Sequence, residues 1–260
     1  MQQKLVEYIN TVKSDSSADQ VAVYYRDLSN GPWMGINEED AFSPASLLKV
    51  PTLISALKYA ETHPDYLYAT IKYFTPGNSS QDIMPEDTLM PGQTYSIKEL
   101  LEHMIVYSDN QALFIIFQTL PIDLLNEVYY QLGIDISVNA KPDQEQIMSV
   151  REYASFFRIL YNASYLNKDM SELALSILSK SEFNKGIKSG LPNGITVAHK
   201  FGERYFKETN TRQLHDCGIV YLDDKPYILC IMTRGKDFTK LEDIIGTISK
   251  IIYETLRAHS

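Results

Sequence analysis

The sequence predicts an α/β protein of the α+β kind, with one antiparallel five-stranded sheet flanked by helices and a mostly helical subdomain. Three observations carry that prediction. Strand-like segments gather at the two ends of the chain, at 21–28 and 33–38 and again at 195–202, 215–222 and 226–235. Apolar residues between them recur at helical rather than alternating spacing. An amphipathic helix stands at each terminus, and such helices need an apolar face to cover.

Residues 3–13 read as a helix with Leu5, Ile9 and Val12 on one face. The segments 21–28 and 33–38 are joined by Ser29-Asn30-Gly31, a hairpin signal. Helices follow near 44–62, 96–105, 109–118, 121–132, 149–161 and 169–179, some separated by Asn-, Gly- and Pro-rich connectors such as 75–80. Three strands and a helix at 238–258 complete the chain, the helix carrying Leu241, Ile244, Ile245, Ile248, Ile252 and Leu256 as its stripe. The economical solution is one domain over 1–260: a sheet subdomain from about 1–40 and 185–260, and a helical subdomain over about 41–184. The terminal helices would cover one face of the sheet.

Composition narrows the function. The 260 residues are 44% hydrophobic and 22% charged, as in ordinary globular proteins, with a net charge of −9. An acidic chain does not suit nucleic acid or an anionic membrane, both of which attract basic surfaces. No apolar run reaches membrane-spanning length, and the N-terminal segment lacks the apolar core of a signal peptide. The five histidines are scattered without metal-ligand spacing, so no metal or cofactor is expected. Cys217 and Cys230 face one another if the hairpin turns at Asp223-Asp224. Strand-pair geometry often strains a bridge, so two buried free thiols are expected.

Chemistry concentrates in three places. Ser46 and Lys49 lie one helical turn apart, just after Ser43, a candidate N-cap, and Pro44, suited to a first helical position. An amine there can take the serine proton, and burial would favour its neutral form. Unpartnered N–H groups of a first turn would favour a developing oxyanion. The competing reading makes Ser46 a helix cap and Lys49 a solvated lysine. A second such pair, Ser55 and Lys58, falls mid-helix, where the neighbouring N–H groups are already bonded. Ser108, Asp109 and Asn110 stand at a helix boundary, where Ser108 either relays a proton or caps the helix from 109. Lys200 ends a predicted strand and is followed by Phe201 and Gly202; the lysine suits a carboxylate, and the glycine allows close backbone approach to a ligand.

Ser-x-x-Lys at 46–49, Ser-Asp-Asn at 108–110 and Lys-x-Gly at 200–202, in that order, resemble the signature of class A β-lactamases and penicillin-binding proteins. The flank "SGLPNGITVAHKFGE" (189–203) is similar to the class A stretch leading into the third motif. "KSG" at 188–190 precedes a turn rather than lying in the strand, so Lys200 is preferred. The resemblance spans essentially the whole chain and implies the β-lactamase/DD-peptidase-like fold, a monomer, no cofactor, and export with a signal peptide removed. It implies that Ser46 is acylated, Lys49 is its base or relay, and Ser108 passes the proton to the leaving nitrogen. Asn110 would bind the substrate side-chain amide, Lys200 would supply charge near Ser108 and the substrate carboxylate, and the N–H groups of Ser46 and Glu203 would form the oxyanion hole. The ligand implied is a small β-lactam or a peptidoglycan-type peptide.

Two departures matter. Phe201 stands where the family has a hydroxyl, and losing a bond to a charged group costs about 1.5–3 kcal/mol. Arg204, Arg212 and Arg234 are the candidate substitutes. The Glu-x-x-Leu-Asn pattern that activates the deacylating water is absent, and Glu145 is the only glutamate between Gly133 and Met148. The expectation is a serine hydrolase that opens β-lactams through an acyl-enzyme, with weak deacylation. The alternatives are a D-alanyl-D-alanine carboxypeptidase and a non-hydrolysing β-lactam- or peptide-binding module.

Overall fold

A computed structural model describes residues 1–74, 83, 87–134, 147–223 and 225–258. In chain order its first elements are α1 (Gln2–Ser14), β1 (Gln20–Asp27), β2 (Trp33–Ile36), α2 (Lys49–Thr62), β3 (Thr70–Lys72) and β4 (Thr94–Ser96). Five helices follow: α3 (Ile97–Val106), α4 (Asn110–Thr119), α5 (Ile122–Gln131), α6 (Val150–Tyr161) and α7 (Lys168–Ser179). Last come β5 (Thr196–Phe206), β6 (Thr211–Tyr221), β7 (Tyr227–Gly235) and α8 (Phe238–Arg257). Short 3-10 turns occupy Ala45–Leu48, Pro64–Tyr68 and Ile187–Gly190.

The chain divides into two compact units. The first comprises Met1–Leu47, Ile147–Phe157 and Phe183–Ser260. Its sheet has the order β2-β1-β7-β6-β5, and every neighbouring pair is antiparallel. β1 comes from the start of the chain and pairs with β7 from its end, which is what makes the sheet one body. The central strands β1, β6 and β7 are buried along nearly their whole length, as Val-, Ile- and Tyr-rich segments covered on both faces require. α8 lies against β6 and β7 and buries Leu241, Ile244, Ile245, Ile248 and Ile252. Asp237 starts it by accepting from Thr239 N and Lys240 N.

The second unit comprises Leu48–Gln146 and Arg158–Glu182. α2 is its centre, touching α3, α5 and α7. From Lys49 to Leu57 every residue of α2 is buried. Pro51 is accommodated because it falls in the first turn, where its missing N–H has no helical partner to lose. Ser96 and Glu99 form a reciprocal capping box at the start of α3. Among the described residues no single helix is long and apolar enough to cross a membrane.

Most expected elements fall within two or three residues of their observed bounds, and the differences have physical causes. The expected helix at 44–62 begins as a 3-10 turn, and α2 starts only at Lys49. Ser43 does not cap it. The β5–β6 hairpin extends through Phe206↔Thr211, beyond the expected strands, because Tyr205 and Phe206 continue the ladder. β3 and β4 form a separate two-stranded sheet that the sequence reading missed. Cys217 and Cys230 are directly opposite in the β6–β7 register, as expected, but they form a disulfide rather than two free thiols.

Candidate active site

Within the helical unit, Lys49 is the first residue of α2 and is 1% exposed. Its Nζ donates to Ser108 O at 2.7 Å, Ser108 Oγ at 3.1 Å and Asn110 Oδ1 at 2.6 Å. The reading of Lys49 as a solvated lysine therefore fails: its buried amine donates to three acceptors of the Ser-Asp-Asn segment. Ser108 adopts φ +57° between α3 and α4, a left-handed conformation that aims both its carbonyl and its hydroxyl at one amine. The helix cap is Asp109, not Ser108. Its carboxylate accepts from Gln111 N at 2.6 Å and Ala112 N at 3.2 Å, and its other oxygen accepts from Leu89 N. Asp109 thus fixes the angle at which Ser108 and Asn110 leave the chain.

Within the sheet unit, Ser46 stands half-buried in the turn Ala45–Leu48, which runs directly into α2 at Lys49. Ala45, just before it, adopts φ +49°. A non-glycine residue held there costs about 1–3 kcal/mol, so the surroundings must enforce it. The restraints are visible on both sides. The Ser43 N–H donates to Gln213 Oε1 at 3.0 Å, and His215 Nε2 lies 3.0 Å from Ser43 O. The Tyr153 hydroxyl donates to Leu47 O at 2.9 Å. Gly202 of β5 lies under the same turn: a Cβ there would come 2.9 Å from Pro44 O and 3.1 Å from Leu47 N. The sequence reading gave Gly202 a ligand to approach; the structure gives it the chain's own Ser46 turn.

Burial pushes His215 down to about 4, with Arg234 adding in the same direction. The ring is accordingly neutral. Thr233 N–H donates to Nδ1 at 3.3 Å, which leaves Nε2 to carry the proton toward Ser43 O. Tyr153 is held well above its ordinary value by burial first and by the Asp216 carboxylate second.

Lys200 and Phe201 also lie on β5, the edge strand of the sheet. Lys200 is fully buried; its Nζ donates to Phe201 O at 3.0 Å and sits 4.1 Å from the centre of the Phe201 ring. That ring stacks on Phe183 at 4.1 Å. The ring that replaces a hydroxyl is therefore packed against the Phe183 segment and forms a surface for the ammonium. Nearby, His199 Nδ1 meets Asp216 Oδ1 at 2.8 Å, and Asp216 Oδ2 accepts from Ile187 N at 2.8 Å, so β5, β6 and the 187–190 turn are tied together. Glu203 follows on the same strand, half-buried.

The candidate substitute guanidiniums are engaged elsewhere in the sheet unit. Arg234 donates to Gln20 Oε1 and Ala41 O, Arg212 donates to Lys236 O and stacks over Tyr205, and Arg204 lies over Phe206. Glu145 lies outside the described residues. Among the described residues no group of three or more His, Cys, Asp or Glu is placed to hold a metal ion. Sequence reasoning missed Gln213, His215, Tyr153, His199 and Asp216. The available signal was Gln213 and His215 two apart on one strand, alternating with Leu214, since polar groups buried on one face must be bonded.

The family model described as "Beta-lactamase enzyme family" matches residues 4–256. Several solved structures share the fold. A β-lactamase from Chitinophaga pinensis superposes with a TM-score of 0.80 at 21% identity, covering 97% of this chain and 99% of the other. A class A β-lactamase from Mycobacterium abscessus gives 0.81 at 18%, covering 97% and 99%. A mutant of PBP-A, solved as an acyl-enzyme complex with penicillin G, gives 0.78 at 20%, covering 99% and 97%. No curated protein sequence matches the chain.

Proposed function

The chain belongs to the beta-lactamase enzyme family, and on that premise we propose that it is a serine hydrolase that opens β-lactams through an acyl-enzyme on Ser46. The observation that carries the reading is the Lys49 amine seated on Ser108 Oγ and Asn110 Oδ1. It joins two of the three ordered motifs by direct hydrogen bonds, which a coincidental Ser-x-x-Lys has no reason to make.

In the proposed reaction Lys49 enters as the free amine, having released one of its three hydrogens to solvent; Ser46 Oγ attacks the lactam carbonyl carbon, and its proton passes to the Lys49 lone pair. The carbonyl oxygen becomes an oxyanion held by the N–H groups of Ser46 and Glu203. Glu203 is proposed for this part because it follows Gly202, the residue that lies under the Ser46 turn. The C–N bond breaks as Ser108 passes its proton to the nitrogen and takes one in exchange from Lys49, leaving an ester on Ser46 and Lys49 again neutral. Asn110, whose Oδ1 is taken by Lys49, offers its NH2 to the substrate side-chain carbonyl. Lys200 supplies positive charge for the substrate carboxylate, with Phe201 beneath its ammonium in place of a hydroxyl. Water then cleaves the ester. We assign this step a slow rate, because the sequence lacks Glu-x-x-Leu-Asn; Glu145 is the base proposed for it. The protein would act as an exported monomer. The Cys217–Cys230 disulfide supports export, since such bonds persist in oxidising compartments.

The test is a chromogenic cephalosporin followed by optical turnover and by intact mass over time. Turnover with a transient adduct on Ser46, abolished in Ser46→Ala, is the expected result. A permanent adduct without turnover would move the assignment to a D-alanyl-D-alanine peptidase or a binding module. No adduct and no turnover would remove β-lactams as ligands.

A further inference from the structure

The turn that carries Ser46 is clamped by two side chains that no motif contains. Gln213 and His215 are two apart on β6, so they project to the same side of the sheet. Between them they take both polar groups of one peptide unit's residue: the Ser43 N–H goes to Gln213 Oε1 and the Ser43 carbonyl receives the His215 Nε2–H, each at 3.0 Å. Ser43, Gln213 and His215 are all at least nine-tenths buried, so water does not compete for these bonds. The ring is itself held, because Thr233 N–H donates to Nδ1 and Phe42 meets it edge-on at 5.4 Å.

The clamp acts on a strained segment. Two residues after Ser43, Ala45 is in the left-handed region, and the next residue is Ser46. At the far end Leu47 is fixed by the Tyr153 hydroxyl and by Pro44 O. Opposite His215 in the β5–β6 register stands Gly202, whose bare Cα admits the turn. The position of the Ser46 hydroxyl and N–H is thereby referred to the sheet rather than to the helix that follows.

We propose that His215 and Gln213 are positioning residues that hold the Ser43–Leu47 turn, and with it the Ser46 hydroxyl and N–H, in the geometry for acylation. This rests on the reading of Ser46 as the nucleophile. The two residues touch no substrate; they act through the backbone.

The experiment compares the native chain with His215→Phe, His215→Gln and Gln213→Leu. Acylation by benzylpenicillin is followed by intact mass over a range of penicillin concentrations, separating the limiting rate from the half-saturating concentration. Phe keeps the ring but cannot donate. It is expected to lower the limiting rate by about ten- to hundredfold, the scale of a small misplacement of reacting groups, with the half-saturating concentration little changed. Gln reaches about as far and donates from its amide, so it should recover most of the loss. A native rate in His215→Phe, equal losses in the Phe and Gln variants, or a loss confined to half-saturation would overturn the proposal. Peptide-resolved amide exchange decides it independently: exchange across 43–48 should quicken in His215→Phe while α8 is unchanged, and unchanged exchange there would overturn it. If the native chain takes no penicillin, the nucleophile reading falls, and the exchange measurement still decides the clamp. If His215→Phe does not fold, Gln213→Leu carries both measurements from the N–H side of the same residue, Ser43.

Discussion

Lys49 Nζ lies 2.6 Å from Asn110 Oδ1, tying the first residue of α2 to the first residue of α4. The contact is structural before it is chemical. A lysine this deeply buried survives only because each of its hydrogens meets an acceptor, and the acceptors come from a segment some 60 residues away in sequence.

Removing one acceptor should therefore be felt as lost stability. Asn110→Ala is expected to cost about 1.5–3 kcal/mol, the worth of a hydrogen bond to a charged group. In a chain of this size that is a fall in melting temperature of about 3–12 °C. Asn110→Asp keeps an acceptor oxygen and should melt closer to the native chain. Thermal unfolding of the two variants side by side checks the ordering.

Gly202→Ala should disturb the Ser46 turn directly. The added methyl would lie 3.0 Å from Leu47 Cγ and closer still to Pro44 O, and backbone cannot rotate away as a side chain can. A cost of about 1–3 kcal/mol is expected from overpacking, read as a lower denaturant midpoint with an unchanged slope.

His215 gives the fold an acid limit. Its folded value is about 4 against an ordinary 6.5, and the lowering comes from burial first, with the Arg234 charge contributing. Between those values the unfolded chain holds the extra proton and the folded chain does not. The stabilisation is whole above pH 6.5 and is lost as pH falls through the folded value near 4. At about 1.4 kcal/mol per pH unit the loss approaches about 3 kcal/mol. Denaturant unfolding at a series of pH values should give a steeper fall over this window in the native chain than in His215→Gln; parallel curves would refute the assignment.

Phe201→Thr restores the hydroxyl that related sites carry, but it should weaken the protein. The substitution removes the partner of Phe183 and the surface beneath the Lys200 ammonium. A loss of about 3 kcal/mol is expected, near the lower end for emptying a buried phenylalanine site. Melting curves measure it, and an unchanged melting temperature would mean that the stack contributes little.

Much of the architecture was legible because it is periodic. The α8 stripe from Leu241 to Ile252 and the apolar run 227–232 of β7 announce their elements by spacing alone. The three motifs were legible because each packs its chemistry into a few adjacent residues. Capping was misread at Ser43 and left open at Ser108 for one reason: both are good cap formers, and only the tertiary fold decides whether a neighbour such as Asp109 takes the part. Ser43 was lost to Gln213 and His215, partners 170 and 172 residues away, which no local pattern encodes. The left-handed Ala45 was equally hidden, because alanine carries no sign of a strained backbone.

Cys217 and Cys230 are shut off from solvent completely, at 0% exposure each. By the strand register they share a face with Lys200, Gly202 and His215, the face against the Ser46 turn, whereas Gly235, five residues on from Cys230, meets Leu241 of α8 on the other. The bond therefore staples β6 to β7 beside Lys200, between partners only 13 residues apart.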